Sequence, residues 1–285
     1  MAIRIVTDST CDLPPELAQQ LGIEVVPCNV HFGTEVYRDG LELTTDEFFR
    51  RLATSKRLPT TSQPSVGVLL EAYRRAADGD TDVVSIHVSE RLSGTLESAR
   101  LARASHPTPG RIHIVDSKQA SIGLGLVVLE AAELARAGAP VAAVVAAAEE
   151  AAARTRIFAV LDTLEYLQRG GRIGRVQAFL GSVLKVKPMI TIEGGEAHPL
   201  ERPRNTAKAV ERLLARVAAL GALRRLGVIH STVPEVADAL AQRLAPVVAS
   251  GRLVRGRFGP VLGVHVGPGA FGVAVLPETP LASPP

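Results

Sequence analysis

The sequence predicts a two-domain α/β protein. A parallel-sheet βαβ domain is expected over residues 1–155 and a smaller α+β domain with a mixed sheet over residues 156–285, with ligand in the cleft between. Three observations predict it. The first half alternates short apolar strands with helices of about 10–15 residues, the pattern of βαβ units. The second half sets Glu193-Gly194-Gly195-Glu196 between two strand-like runs, a hairpin signal foreign to a purely parallel sheet. And 285 residues at 46% hydrophobic content are long for one domain and comfortable for two.

Each element has its own signal. Ile3–Val6 is an apolar run, and Asp12 is placed to cap a helix with Pro14 and Pro15 in its first turn and Gly22 at its end. Ile23–Val26 reads as a strand and His31–Arg38 as a hairpin around Gly33. Thr45 is expected to cap a helix carrying Phe48, Phe49 and Leu52. A loop at Thr61–Ser65 precedes a helix with Val68, Leu69 and Tyr73 on one face. Then come a strand at Val83–Val88, a helix at Ser93–Ser105, a strand at Ile112–Asp116 and two Ala-rich helices, Gly123–Ala137 and Pro140–Ala153. The domain boundary falls near Thr155, where the second of these stops. Beyond it, Ile157–Leu161 is a strand and Asp162 caps a short helix ending at Gly170-Gly171. Strands at Met189–Ile192, Ala197–Leu200, Leu226–His230, Val254–Phe258 and Gly272–Val275 alternate with helices at Thr206–Leu220 and Pro234–Val248.

Composition excludes several functions. Aromatics make up 4% of the chain and there is no Trp, so base-stacking platforms are missing and nucleic acid is not an expected partner. The net charge is +3 and the pI about 9.1, which is compatible with an acidic partner but is read first as a solvated Arg-rich surface. Cys11 and Cys28 form no CxxC pair and supply neither a disulfide framework nor a zinc site. The longest apolar stretches are interrupted by Glu and too short to span a bilayer. With no secretion signal at its start, the chain is expected in the cytoplasm, without stable membrane insertion and with at most transient membrane contact.

The most informative residues are two hydroxyl groups of residues, Thr61-Ser62-Gln63-Pro64-Ser65 and Ser93-Gly94-Thr95. Each lies ahead of a predicted helix, whose N-terminal N–H groups and positive dipole end attract anions. Two such ends predict a site for one acidic head group. Their bland readings are an N-cap for Ser93 and ordinary loop residues for Thr61 and Ser62. Asp8, Ser9 and Thr10 lie at the same sheet edge, where they are expected to brace the strand. His31, His87, His106, His113, His198 and His230 have no ligand spacing and are read as structural.

The segment Val6-Thr7-Asp8-Ser9-Thr10-Cys11-Asp12-Leu13-Pro14 resembles the opening of the DegV family. The two hydroxyl clusters, Asp116-Ser117, the block Leu164–Gly174, Lys187-Pro188 and His265 within Gly263–Gly269 resemble its later motifs, in the same order across the chain. The resemblance implies a two-domain protein that buries a long-chain fatty acid and presents its carboxylate to a separate ATP-dependent fatty acid kinase subunit. No cofactor, metal or catalysis by this chain alone is implied. It further implies that Thr61, Ser62 and Ser93 hold the carboxylate, with Thr95, Arg169, Arg172 and His265 as the supporting network. Both arginines are candidates, with Arg169 expected to face inward. By default, though, His265 among its glycines is a loop residue, and Arg169 and Arg172 counter a helix dipole. The basic run Arg202, Arg204, Lys208, Arg212 is the chosen docking face for the partner, against a bland reading as a solvated helix surface.

One rival is a serine hydrolase acting on a lipid or another small acyl substrate through Ser93, His265 and Asp116. However, Leu92-Ser93-Gly94 is not a G-x-S-x-G elbow. A nucleotide-dependent enzyme is disfavoured because no G-x-x-x-x-G-K-[ST] is present and Gly123-Leu124-Gly125 lacks its third glycine.

Overall fold

The computed structural model describes residues 2–179 and 186–278, so Met1 and the last residues of the predicted second domain lie outside the described residues. In chain order the first half contains β1 (Ile3–Asp8), α1 (Pro15–Leu21), β2 (Glu24–Val26), β3 (Asn29–Phe32), β4 (Glu35–Arg38), α2 (Thr45–Thr54), β5 (Thr60–Ser62), α3 (Val66–Ala76), β6 (Asp82–His87), α4 (Thr95–Ala104), β7 (Ile112–Asp116), α5 (Ser121–Arg136) and α6 (Val141–Arg154). The second half contains β8 (Arg156–Val160), α7 (Glu165–Arg169), β9 (Met189–Glu193), β10 (Glu196–Glu201), α8 (Thr206–Ala218), β11 (Leu223–His230), α9 (Pro234–Leu244), β12 (Leu253–Arg257), α10 (Pro260–Val266) and β13 (Phe271–Pro277).

Four parallel strands form one sheet in the order β2-β1-β6-β7. The mixed sheet runs β10-β9-β8-β13-β11-β12 and, with six strands, is the larger of the two, contrary to the expectation of a small one. The reason is non-local: β13, the last strand, inserts between β8 and β11 and fuses the β9–β10 hairpin with the β11–α9–β12 unit. A third, antiparallel sheet, β4-β3-β5, covers one end of the molecule with α2 and α10.

Strand alternation sorts the cores into layers. Val6 and Val83 face α3 and α4, where Leu69, Tyr73 and Ala99 pack on them. Their neighbours Ile5, Val84 and Ile86 point the other way, into a core that also contains Ile157, Ala159, Ile229 and Ala274 of the mixed sheet. Phe158, Val160, Leu226 and Val228 face outward onto α8 and α9. The Ala-rich helices α5 and α6 are thus the central layer, shared by both sheets. This explains why α5 is buried around its whole circumference from Ser121 to Ala132, with Glu130 the one charged residue in that stretch.

Three helix caps and one loop differ from expectation. Pro14, not Asp12, is the N-cap of α1, and Asp12 is held at φ 51° with its carboxylate directed elsewhere. Thr44, not Thr45, caps α2. Leu164 precedes α7 without a side-chain cap, and Asp162 pairs with Lys187 instead. Thr60–Ser62 form the edge strand β5, not a loop, pairing with Asn29–His31. Val68 is 38% exposed, whereas Leu69 and Tyr73 are fully buried.

Candidate functional site

A cavity opens between the two halves, lined by Thr61, Ser62 and Ser93 from the first and Arg172 and His265 from the second. The rest of the wall is mostly apolar, with Val88, Leu92, Ile157, Ile190, Ile192 and Phe258 along it, interrupted by Thr10, Gln63, Ser121 and Thr191. The two wall types come from the strand period. Ile157 and Ala159 turn toward the central layer because Phe158 and Val160 turn away. About 110 Å³ is open to the centres of water-sized groups.

His265 bonds Thr61 across 204 residues of sequence, Nε2 to Oγ1 at 3.1 Å. It sits on α10, not in a loop. Pro260 just inside the start and Gly267 just past the end are the start and stop signals from which this helix was readable. Burial, and then the Arg172 charge, hold the imidazole down to a pKa of about 4, so it is neutral at pH 7. A neutral ring has one N–H. Nδ1 is buried without a partner, packed against Gly170, where a Cβ would overlap it. The proton therefore belongs on Nε2, which donates to Thr61 and leaves the threonine hydroxyl hydrogen free for an anion.

Arg172, not Arg169, faces the cavity. Arg169 is 62% exposed and pairs with Glu165 at 2.9 Å one turn back on α7. Gly171 at φ 69° ends that helix and reverses the chain, with the Arg172 N–H bonded to Leu167 O at 3.1 Å. Arg172 is carried back over the cavity mouth, where Nε donates to Leu92 O and Nη1 to Gly170 O, at 3.1 and 2.9 Å. Nη2 has no partner among the described residues.

Ser93 precedes α4, accepting from Thr95 N at 3.3 Å and sharing a 2.8 Å bond with Thr95 Oγ1. Here the expected helix end does fringe the cavity. At the other cluster it does not: Ser65 is committed to capping α3 through Val68 N, and Thr61 and Ser62 reach the cavity from β5. Ser62 is oriented by His31 Nε2 at 2.8 Å, a role the sequence reading missed. Period-2 alternation through Asn29–Phe32 was the available signal.

Asp8, His87, Ser85 and Tyr73 form a fully buried chain behind this wall. Tyr73 Oη meets Ser85 Oγ at 2.9 Å, Ser85 meets His87 Nε2 at 2.7 Å, and His87 Nδ1 meets Asp8 Oδ2 at 2.9 Å. Burial pushes the Asp8 carboxyl up, but bonds from His87, Thr10 and the Val88 N–H outweigh it and leave it lowered. The serine–histidine–aspartate spacing is that of a hydrolase triad, yet Ser85 is wholly buried against Tyr73. Thr10 lines the cavity but donates its hydroxyl to Asp8 Oδ1 at 2.5 Å, so it offers a ligand only an acceptor. The Ser93–His265–Asp116 alternative fares no better. His265 bonds Thr61, Ser93 bonds Thr95, and Asp116 caps the Lys118 N–H.

The site thus offers hydroxyl donors, one arginine and a helix N-terminus on the wall of a mostly apolar cavity, an arrangement suited to one anionic head on a hydrocarbon body. Among the described residues no group of three His, Cys, Asp or Glu is placed to hold a metal, and no helix is long and apolar enough to cross a membrane.

Comparison with known proteins agrees. The family model described as "Uncharacterised protein, DegV family" matches residues 2–278. A DegV domain-containing protein of Streptomyces coelicolor is 42% identical over 278 residues, covering 96% of this chain and 98% of the relative. A solved DegV family protein from Thermus thermophilus, described by its fatty acid binding, superposes with a TM-score of 0.90 at 37% identity, covering 97% of this chain and 100% of that one. DegV from Bacillus subtilis, described as a fatty acid binding protein, gives a TM-score of 0.86 at 35% identity, covering 98% and 100%.

Proposed function

The chain belongs to the DegV family, and we propose that it holds one long-chain fatty acid, tail in the apolar cavity and carboxylate against Thr61, Ser62, Ser93 and Arg172. The observation that carries this reading is a mostly apolar cavity lining that also carries Thr61, bonded to His265, and Ser93, next to the Leu92 carbonyl that Arg172 binds. The fatty-acid-binding relatives of similar fold support it. A tail of ~15 CH₂ and CH₃ groups at ~0.8 kcal/mol each gains at most about 12 kcal/mol, near the nanomolar range before association costs. The head group therefore has to avoid a loss more than add affinity, because an unpaired buried carboxylate costs several kcal/mol.

Organic extraction and mass spectrometry of freshly purified protein test this directly. Close to one fatty acid per chain is expected, and lipid-free protein that also fails to take up palmitate would sink the reading.

We further propose that the bound carboxylate is presented to a separate ATP-dependent kinase subunit, which forms the acyl phosphate. The chain itself has no glycine loop for phosphates. No cofactor is proposed beyond the fatty acid. Arg202 and Arg204 are the proposed docking residues. Both are exposed, and the Arg202 guanidinium lies 4.6 Å from the Phe179 ring centroid. Along α8, Lys208 pairs with Glu211 and Arg212 with Glu201. Exposed charges act mainly on association rate. Arg202→Glu should slow kinase coupling most at low salt while leaving bound lipid in place; unchanged coupling at low salt removes this face.

A further inference from the structure

We propose that Asp12 and Asp39 are positioning residues for the head-group site, acting through α10 to fix where His265 stands and so where the Thr61 hydroxyl points. The inference rests on the fatty acid reading above and extends it to residues that touch no ligand.

The first N–H groups of a helix need partners, and the residue before α10, Gly259, has no side chain to supply one. Two carboxylates from distant loops do so instead. Asp12, after β1, accepts from the Gly259 N–H at 2.9 Å, and the Asp39 carboxylate, after β4, faces the Val261 N–H. A Cβ at Gly259 would lie 3.2 Å from Asp12 Oδ1 and 3.5 Å from Asp39 Oδ1, so both carboxylates close on this one residue. Each is braced from behind, Asp12 by the Ser121 hydroxyl at 2.6 Å and Asp39 by the Ser9 hydroxyl at 2.8 Å. Val261 is one helical turn from His265, so the helix start is clamped where the imidazole is set.

The clamp is costly for a mere cap. Both carboxylates are more than nine-tenths buried with no cation among their hydrogen-bond partners, and burial pushes Asp12 well above the usual range and Asp39 up to about 7. A serine or asparagine at the N-cap satisfies an N–H without that penalty. A local cap, however, moves with its helix. Carboxylates on the opposite half hold α10 in register with Thr61, which is what a hydrogen bond spanning the two halves requires.

The test is a double-mutant cycle read with palmitate as the probe. Asp12→Ala and Asp39→Ala should each weaken palmitate binding roughly five- to tenfold, the scale of a lost cap. They should also shift the His265 ring nitrogen signals in ¹⁵N NMR. In a His265→Ala background the same substitutions should weaken binding less than twofold, because the route through the imidazole is already gone. Asp12→Asn and Asp39→Asn, which keep an acceptor, should stay within about threefold of wild type. Equal losses with and without His265 would mean a purely structural role and overturn the proposal.

If the alanine variants fail to fold, Gly259→Ala replaces them, since its methyl pushes the helix start while both carboxylates remain. Unchanged ring signals and affinity in that variant overturn the proposal equally. If wild-type protein takes up no palmitate, the fatty acid reading fails, and the ring signals alone then decide the positioning claim.

Discussion

Ser93 and Thr61 reach the same cavity by different means, one beside the start of α4 and the other from β5, and in the proposed reading both meet the carboxylate. Ser93→Ala removes one hydroxyl donor to a charged acceptor, typically about 1.5–3 kcal/mol. The apolar gain is several times larger, so the variant should retain lipid but exchange it faster. Phosphoryl transfer is less forgiving, because misplacement by about 1 Å can cost roughly a hundredfold in rate. Ser93→Ala and Thr61→Ala should therefore lose far more kinase-coupled acyl phosphate formation than lipid occupancy, both measured on one preparation. Gly170→Ala belongs with them although it adds a methyl: that group would overlap His265 Nδ1 and lie 2.9 Å from Tyr166 O, displacing the imidazole from Thr61. Full coupled activity in Ser93→Ala would place the carboxylate elsewhere. The hydroxyls were legible in the sequence because their type and clustering carry the chemistry. The choice between Arg169 and Arg172 was not, since it turns on the reversed backbone at Gly171.

At the scale of elements, α5 holds the two halves together, and its grip on β11 is ionic as well as apolar. Glu130 of α5 is 5% exposed at its side chain and pairs with Arg225 and, at 2.6 Å, Arg224. Arg225 also meets Glu133 at 2.5 Å, and Glu133 meets Arg252 at the same distance. Removing one partner of a buried pair leaves an uncompensated charge, at a cost of about 3–5 kcal/mol. Arg225→Met should lose stability on that scale in urea unfolding, while Arg225→Met combined with Glu130→Gln should recover much of it. A single variant as stable as wild type would show that Arg224 alone neutralises Glu130. The Ala-rich helix at α5 was legible in the sequence; its ionic partner was not, because Glu130 and Arg225 lie 95 residues apart.

For the whole molecule, buried titratable groups set opposing dependences on pH. Folded, His265 stays neutral down to about pH 4, whereas unfolded it takes a proton near 6.5. Between these values the unfolded chain holds more protons, so lowering the pH destabilises through this residue, by about 3 kcal/mol in all. Asp39 acts in reverse. Folded, it keeps its proton to about pH 7 and unfolded it loses it near 3.8, so raising the pH destabilises by about 4 kcal/mol. Relative to wild type, His265→Gln should gain stability as pH falls from 6.5 to 4, and Asp39→Asn should gain it as pH rises from 4 to 7. Urea titrations across that range check both signs. Parallel curves for wild type and either variant would mean that the residue titrates alike folded and unfolded.

The amino-acid order alone determined the alternation of strands and helices, the hairpin at Gly194-Gly195, the hydroxyl-rich segments and the lack of phosphate-binding loops. These are local properties, written in periods of two and 3.6 residues and in turn and capping chemistry. Tertiary structure alone decided that α5 and α6 serve two sheets at once, that β13 threads the middle of the mixed sheet, and that Asp12 caps a helix some 247 residues away. Periodicity reports which face of an element is buried but not what buries it. The bonds joining Thr61 to His265 and Asp12 to Gly259 depend on that second fact.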